Sequence, residues 1–260
     1  MLIDLHNHTK LCNHASGEID EYIQQAIKKG IKYFGFSDHA PMDFDPKYRM
    51  SFEQMSQYEN AVLEAKDRYA KDIDILLAYE VDYLEGFMDE RVLKSDVDYL
   101  IGSVHFLDGW GFDNPEFIGR YEQKNIDDIW VEYFNKIESM AKTNLFDIVG
   151  HIDLIKVFKF LPKNLSITEI AKDALKAIKD SEMSIEINMA GYRKPIGEAY
   201  PSREILLEAK KLGIEITFGS DAHKPEQVGL FNKEVIELAK DVGYTRCVYY
   251  KNRKKEYKNF

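Results

Sequence analysis

Residues 214–223 read Ile-Glu-Ile-Thr-Phe-Gly-Ser-Asp-Ala-His, a short β-rich run that ends in glycine and leads directly into Asp221 and His223. A helical pattern precedes the run, with Ser202 placed as its N-cap and Gly213 placed just after its last turn. The same order of a short strand, a loop and a helical segment recurs along the chain. This alternation predicts parallel strands joined by helices, which is an α/β fold.

Seven strands of this kind are predicted, over residues 2–6, 32–37, 74–81, 98–104, 146–150, 184–188 and 214–219. The helix after the fourth strand has the clearest period, because its apolar residues fall on one stripe that would pack against the sheet. The stripe consists of Ile126, Ile129, Trp130, Tyr133, Phe134, Ile137, Met140 and Ala141. Periodicity leaves two architectures open, a barrel related to the TIM type and an open doubly wound sheet.

The composition bounds the size and the partners of the protein. Its 260 residues are 45% hydrophobic, which is enough to bury the core of one large domain. Since no Gly/Ser-rich linker or low-complexity segment interrupts the chain, we expect a single domain over residues 1–260. The formal net charge is -10, from 45 acidic and 35 basic residues, and this disfavours nucleic acid as a partner. The basic residues between Lys251 and Lys258 are interpreted as a solvated edge.

The cysteines and the terminal residues indicate the compartment. Cys12 and Cys247 are too few and too far apart to form a disulfide framework. The first residues lack the basic and apolar regions of a secretory signal, and no run approaches the roughly 18 apolar residues of a membrane-spanning helix. We therefore expect a soluble cytoplasmic protein with no membrane partner, whose oligomeric state the sequence leaves open.

All seven histidines lie at the carboxyl ends of predicted strands or in the loops that follow them. They are His6, His8, His14, His39, His105, His151 and His223. Because the ends of parallel strands meet on one face, we expect these imidazoles to meet, together with Glu80, Asp38 and Asp221. An isolated histidine of this kind is more often a hydrogen-bonded core residue. Histidines after so many strands instead indicate a metal centre, and this ligand type suits zinc, iron or manganese.

Five segments, in this order, resemble the polymerase and histidinol phosphatase (PHP) superfamily over nearly the whole chain. They are Asp-Leu-His6-Asn-His8, Phe-Ser-Asp38-His39, Gly-Ser-Val-His105, Gly-His151-Ile-Asp153 and Gly-Ser-Asp221-Ala-His223. Three further stretches resemble its histidinol-phosphate phosphatase branch: His14 after Leu-Cys12-Asn, Ile-Gly-Ser-Val-His-Phe-Leu-Asp-Gly-Trp110, and Glu186-Ile-Asn188 before Arg193-Lys-Pro. The resemblance implies a distorted (β/α)7 TIM-like barrel with three divalent transition metal ions.

The same resemblance implies which residues hold each ion. His6, His8, Glu80 and Asp221 would hold the first ion, and Glu80 would bridge to a second ion completed by His105 and His151. His14, His39 and His223 would hold the third. Asp38 would instead orient a neighbouring imidazole. Cys12 is a possible soft ligand near the third ion, although a spare buried thiol is the simpler interpretation.

The expected chemistry is hydrolysis of a phosphate monoester. Two adjacent cations bridged by Glu80 can lower the pKa of water and hold a hydroxide for in-line attack, while Asp221 positions or deprotonates that water. Arg193 is expected to grip the phosphate, with Lys156 and Lys159 as weaker candidates. Asn188 and Trp110 are candidate substrate contacts, and the loops 42–50 and 106–112 would read the rest of the substrate.

The leading functional hypothesis is that the enzyme is a histidinol-phosphatase, which hydrolyses L-histidinol phosphate to L-histidinol and phosphate in histidine biosynthesis. Two alternatives stay open at this point. The same metal centre could act on phosphotyrosine or on nucleotides. From a different class, the cluster could belong to a non-catalytic metal-binding module. The complete set of ligands argues against the second alternative, because such a set is costly to bury without cations.

Overall fold

A computed structural model describes residues 2–260 and contains one parallel sheet of seven strands. The strands are β1 Ile3–Asp4, β2 Tyr33–His39, β3 Asp74–Asp82, β4 Tyr99–Ser103, β5 Phe106–Leu107, β6 Trp110–Gly111, β7 Ile148–Val149, β8 Ser184–Asn188, β9 Ile216–Gly219, β10 Arg246–Lys251 and β11 Lys254–Asn259. The parallel sheet has the order β1-β2-β3-β4-β7-β8-β9. Its members match the seven predicted strands, although β1 and β7 are shorter than expected.

A helix follows each strand of the parallel sheet along the chain. The helices are α1 Ile19–Lys28, α2 Met55–Arg68, α3 Glu90–Leu93, α4 Ile126–Lys142, α5 Ile167–Asp180, α6 Arg203–Lys211 and α7 Asn232–Asp241. Short 3₁₀ helices span Lys10–Cys12, Pro46–Tyr48, Phe52–Gln54, Pro115–Gln123, Leu154–Lys156, Ala190–Arg193 and Pro225–Gln227. The predicted stripe of α4 is buried except for Ile126, which is partly buried against the same core. Within residues 2–260 no helix is both long and apolar enough to cross a membrane.

The sheet closes because the segment after β1 bonds to the segment after β9. Leu5 N donates to Phe218 O at 2.9 Å, and His8 N donates to Ala222 O at 3.0 Å. Between these bonds, Asp221 N donates to His6 O at 2.7 Å. The predicted (β/α)7 barrel is therefore confirmed, and the open doubly wound alternative is wrong.

The C-terminal hairpin β10–β11 covers the amino ends of the barrel strands. Tyr250 is buried there, and its hydroxyl bonds to Asp147 O at 2.8 Å and to Ser184 Oγ at 2.9 Å, just before β7 and at the start of β8. The interpretation of residues 251–258 as a mere solvated edge was incomplete. Their charged side chains do face outward for the most part, but their backbone pairs with β10 across the base of the barrel.

Gly35 on β2 permits a close contact inside the barrel. A Cβ at Gly35 would lie 1.7 Å from the Tyr99 hydroxyl, and that hydroxyl donates to Leu5 O at 2.6 Å. A side chain at this position would therefore displace Tyr99 and break a buried hydrogen bond next to the barrel seam.

We expect Gly35→Ala to lower the free energy of unfolding by about 1–3 kcal/mol through overpacking. Urea unfolding followed by circular dichroism measures this loss. Gly119→Ala is the matched control, because a Cβ there meets no atom within 4 Å. Equal midpoints for the two variants would contradict the packing argument.

Candidate metal centre

The seven histidines form one cluster at the carboxyl ends of the barrel strands. Each ring centroid lies 4.0–5.1 Å from the nearest ring centroid of another histidine in the cluster. The shortest links are His8 to His223 at 4.0 Å, His8 to His39 at 4.4 Å, His14 to His223 at 4.6 Å, His105 to His151 at 4.9 Å and His6 to His8 at 5.1 Å. The predicted convergence of the imidazoles is therefore present in the structure.

Glu80 lies at the middle of the cluster, and its two carboxylate oxygens face different histidines. Oε1 lies 2.9 Å from His151 Nε2 and accepts a hydrogen bond of 2.7 Å from Ser103 Oγ. Oε2 lies 2.9 Å from His39 Nδ1 and 3.4 Å from His6 Nε2. A carboxylate placed in this way can bridge two cations.

Asp221 forms the edge of the cluster toward the open face of the barrel. Its Oδ1 lies 3.3 Å from His8 Nε2 and 3.5 Å from His223 Nδ1. Asn188 Nδ2 donates to the other oxygen at 3.2 Å. The Asp221 side chain is 15% exposed, whereas that of Glu80 is 2% exposed, so Asp221 faces the open side of the cluster and Glu80 its interior.

His14, His39 and His223 form the outer part of the cluster. The Nε2 atoms of His14 and His223 lie 2.9 Å apart, close enough to share one proton or to converge on one cation. Burial and the neighbouring histidines lower the pKa of His223 well below its usual range. Burial, with the charge on His8 as a further cause, also lowers the pKa of His39 to about 4. These imidazoles are therefore neutral at pH 7, which is the form that binds metal.

Carboxylates behind the cluster fix the orientation of three rings. His6 Nδ1 lies 2.9 Å from Glu186 Oε1, His8 Nδ1 lies 3.3 Å from Asp38 Oδ1, and His105 Nδ1 lies 2.6 Å from Asp82 Oδ1. Such contacts leave the opposite nitrogen, Nε2, directed at the centre and make the imidazole a stronger ligand. Asp38 thus lies where the resemblance placed it, although it belongs to β2 rather than to the loop that follows.

The donor atoms fit divalent transition metals. His6 Nε2, His8 Nε2 and His151 Nδ1 are buried without a hydrogen-bond partner among residues 2–260. Orphaned buried nitrogens are rare in folded proteins, and a bound cation would satisfy them. Three sets without a cysteine bring one ligand atom from each residue within 4.8 Å of one another: His6, His8 and Glu80; Glu80, His105 and His151; and His8, His39 and His223.

Cys12 also approaches the outer histidines. Its sulfur lies within 4.8 Å of ligand atoms on His14 and His223. Burial, with the Asp38 charge as a second cause, raises the pKa of the Cys12 thiol. Without a bound cation the thiol therefore keeps its proton.

Arg193 approaches the cluster from the loop after β8. Its Nη2 donates to Ser220 O at 2.9 Å and to Asp221 O at 2.8 Å, while its buried Nη1 has no partner among the described residues. Arg193 also lines the cavity above the cluster, which has a volume of about 790 Å³. The guanidinium is thus fixed on one side and free on the other.

Four residues that were predicted as candidates for substrate or phosphate contact do not line the cavity. The Asn188 amide is bonded to Glu186 and Asp221, and Trp110 is buried against Phe112 and Tyr121. Lys156 is buried in ion pairs of 2.9 Å with Asp153 and 2.8 Å with Glu198, and Lys159 also lies outside the wall. The substrate contacts expected of Asn188 and Trp110 therefore stay predictions, since the structure holds both side chains in other contacts.

Sequence reasoning also missed Asp82, Glu186, Arg49 and Tyr200. Asp82 follows Glu80 by two residues on β3, so both side chains leave the same face of the strand. That spacing was the available signal for Asp82. Arg49 Nη1 donates to Asp82 Oδ2 at 2.8 Å from the loop after β2, a contact between distant segments that has no local signature. Tyr200 lines the cavity and its buried hydroxyl has no partner in the described part of the chain.

Comparisons with known proteins agree with this geometry. The sequence profile of the PHP domain matches residues 4–190, and that of a PHP-associated segment matches residues 203–242. The chain belongs to the PHP family. A relative from Deinococcus radiodurans named "Probable histidinol-phosphatase" is 37% identical over 97% of this chain and 98% of its own length. The histidinol-phosphatase of Bacillus subtilis is 30% identical over 90% of this chain and 98% of its own length.

A solved structure shares the PHP fold. The histidinol phosphate phosphatase of Lactococcus lactis superposes with a TM-score of 0.81 over 98% of both chains, at 20% sequence identity. That crystal contains zinc, L-histidinol and phosphate. At this level of identity the likeness establishes the barrel.

We expect Glu80→Gln to lower the affinity for Zn²⁺ by more than about 100-fold, beyond the range for residues that only support a ligand. The reason is that the neutral amide cannot bridge two cations at the middle of the cluster. Competition with a chromogenic chelator measures the affinity. Glu85→Gln, at an exposed position after β3, is the control. Wild-type affinity in Glu80→Gln would rule out the central role of Glu80.

Arg49→Gln tests the support behind His105. Loss of the buried guanidinium leaves Asp82 without its partner, so we expect the affinity for divalent metal to fall about 10- to 100-fold. The same chelator competition applies, with Arg68→Gln as the control because Arg68 is exposed on α2. Unchanged metal affinity in Arg49→Gln would show that Asp82 holds His105 without help.

Proposed function

We propose that this protein hydrolyses L-histidinol phosphate to L-histidinol and phosphate at the histidine cluster of the barrel. The observation that carries the proposal is the cluster itself, in which seven imidazoles meet Glu80 and Asp221, and five of these imidazoles line one cavity together with both carboxylates. Two relatives that match this chain over at least 90% of its length are named "Probable histidinol-phosphatase" and "Histidinol-phosphatase".

Three divalent ions are part of the proposal. His6, His8, Glu80 and Asp221 would hold one, Glu80, His105 and His151 a second, and His14, His39 and His223 a third. The convergence of His6, His8 and Glu80 and that of Glu80, His105 and His151 support the first two assignments. The 2.9 Å approach of His14 to His223 supports the third, and His8 also converges with His39 and His223. Zinc, iron and manganese suit the mixed nitrogen and oxygen donors. When bound, such ions supply Lewis acidity that activates water and neutralises phosphate charge.

Two side chains, Asp221 and Arg193, act in the proposed mechanism beside the metal ions. Asp221 presents Oδ1 at the open edge of the cluster, where it can accept a proton from the attacking water. Asn188 donates to the other oxygen at 3.2 Å and keeps the carboxylate in this orientation. Arg193, held through Nη2 by the carbonyls of Ser220 and Asp221, can donate from Nη1 to a phosphate oxygen as negative charge builds there.

The cavity supports a small substrate with an aromatic ring and a positive charge. Phe44, Tyr48 and Phe117 lie in its wall together with the carboxylates of Asp45 and Asp113. Aromatic faces suit an imidazole, and carboxylates suit an ammonium group. The substrate contacts predicted for Asn188 and Trp110 from the sequence stay predictions, and neither residue lines this wall.

The domain organisation of the chain and its cellular compartment belong to the same proposal. We infer that the chain works as one domain, because β9 falls within the PHP-associated match and yet completes the barrel begun by the PHP match. Both cysteines are free and buried, which supports a reducing cytoplasmic setting.

Phosphate release by the metal-loaded protein tests the function. We expect the highest kcat/KM for L-histidinol phosphate in a panel that also contains phosphotyrosine and nucleoside monophosphates. Equal or higher turnover of another member would favour the alternative phosphatase activities. Absence of turnover on the whole panel, with metal bound, would favour a non-catalytic metal-binding module.

Substitution of one proposed ligand, His6, and of one residue not needed as a ligand, Cys12, gives a further test. His6→Ala removes a buried ligand with an orphaned Nε2, so we expect phosphate release to fall below detection. Cys12→Ser should keep wild-type turnover, because the protonated thiol is not needed as a ligand. Loss of activity in Cys12→Ser, with retained circular dichroism, would make Cys12 part of the third site.

A further inference from the structure

Asp113 is a carboxylate in the cavity wall with no cationic partner among residues 2–260. It follows β6 and precedes the 3₁₀ helix Pro115–Gln123. Its neighbours hold its position on both sides. Phe112 is fully buried and its N donates to His105 O at 3.3 Å, while the Asn114 side chain caps the 3₁₀ helix by accepting from Glu116 N at 2.9 Å. Asp113 therefore directly follows a residue whose backbone is bonded to that of His105.

The other acids in the wall differ from Asp113. Asp45 Oδ2 lies 3.9 Å from Arg49 Nη2, so its charge is partly balanced. Glu116 is exposed at the outer end of the cavity. Arg49, the buried arginine of the same wall, is already paired with Asp82 at 2.8 Å. Of Asp45, Asp113 and Glu116, only Asp113 both lacks an ion pair within residues 2–260 and directly follows a residue, Phe112, that bonds to the backbone of His105.

The chemistry of an amino-alcohol phosphate requires an acid at such a place. Its ammonium group sits on the carbon next to the ester carbon, so it stays close to the phosphate when the phosphate lies against the cluster and Arg193. An ammonium group in a cavity needs a carboxylate to replace its lost hydration. Asp113 lines the same cavity as the cluster and the aromatic side chains, within the space that this group would enter.

We propose that Asp113 binds the ammonium group of the substrate and thereby makes the enzyme selective for phosphate esters of amino alcohols. This inference rests on the proposed phosphatase function. Substrates without an ammonium group leave the carboxylate unpaired in the cavity, and a site with an unpaired polar group rejects such analogues strongly. Phosphotyrosine in a peptide and nucleoside monophosphates have no ammonium group beside the ester carbon.

Asp113→Asn in the metal-loaded full chain tests the inference, because it removes one charge at constant size. The substrates are L-histidinol phosphate, its N-acetyl derivative and 4-nitrophenyl phosphate. We expect the wild type to prefer L-histidinol phosphate over the N-acetyl derivative by roughly 10- to 100-fold, the range for a charge-assisted hydrogen bond. In Asp113→Asn most of that preference should vanish, through a larger loss on L-histidinol phosphate than on 4-nitrophenyl phosphate.

Two control variants sharpen the result. Asp108→Asn makes the same change at the exposed turn between β5 and β6, outside the cavity wall, and should keep wild-type selectivity. Glu116→Gln tests the neighbouring acid of the wall. Selectivity that survives in Asp113→Asn but vanishes in Glu116→Gln would overturn the assignment, and so would an equal loss on all three substrates.

The failure of the proposed function has a different signature. A wild type that releases phosphate from 4-nitrophenyl phosphate but not from L-histidinol phosphate would contradict both the substrate and the role of Asp113. A wild type that prefers L-histidinol phosphate, with the same preference in Asp113→Asn, would contradict the role of Asp113 alone.

Discussion

The seam between β1 and β9 is the interaction on which the site depends. His6 O accepts from Asp221 N at 2.7 Å, so one backbone bond joins a buried imidazole to the carboxylate at the open edge of the cluster. Asp4 reinforces the seam by accepting from Ser220 N at 2.8 Å. A Cβ on Gly219 would lie 1.8 Å from Glu186 Oε1, the atom that faces His6 Nδ1. Barrel closure and ligand placement are therefore one structural requirement.

Burial of the cluster sets its electrostatics. Burial opposes the charged form of His6, but Glu186 and Glu80 outweigh it and hold the pKa of His6 well above its usual range. The pKa of His39, on the outer side, is lowered to about 4 by burial and nearby histidines. Without cations, the inner ring of His6 therefore stays protonated near pH 7, whereas the outer ring of His39 is neutral. Metal binding replaces this uneven set of protons and satisfies the orphaned nitrogens, which couples metal to folding.

The sequence was sufficient for the parts of the site that depend on strand direction. Parallel strands bring their carboxyl ends together, so His39, His105 and His151 could be assigned to one face without knowledge of the sheet order. Barrel closure could not be derived in this way, because buried parallel strands have similar patterns in open and closed sheets. The hairpin β10–β11 was missed because its charged outer face resembles a solvated tail. Strand periodicity also could not place Trp110, whose side chain enters a local aromatic cluster.

The structure separates the histidine cluster from the loop residues of the cavity wall. Glu80, His39 and His105 lie at or just after strand ends fixed by the barrel, whereas Phe44, Tyr48 and Asp113 lie in the loops after β2 and β6. Arg49 joins the two parts, because it belongs to the loop after β2 and supports His105 through Asp82. A change in these loops can therefore alter substrate choice while the centre persists, provided that Arg49 keeps its place. The constraint on Arg49 then comes from the metal centre rather than from the substrate.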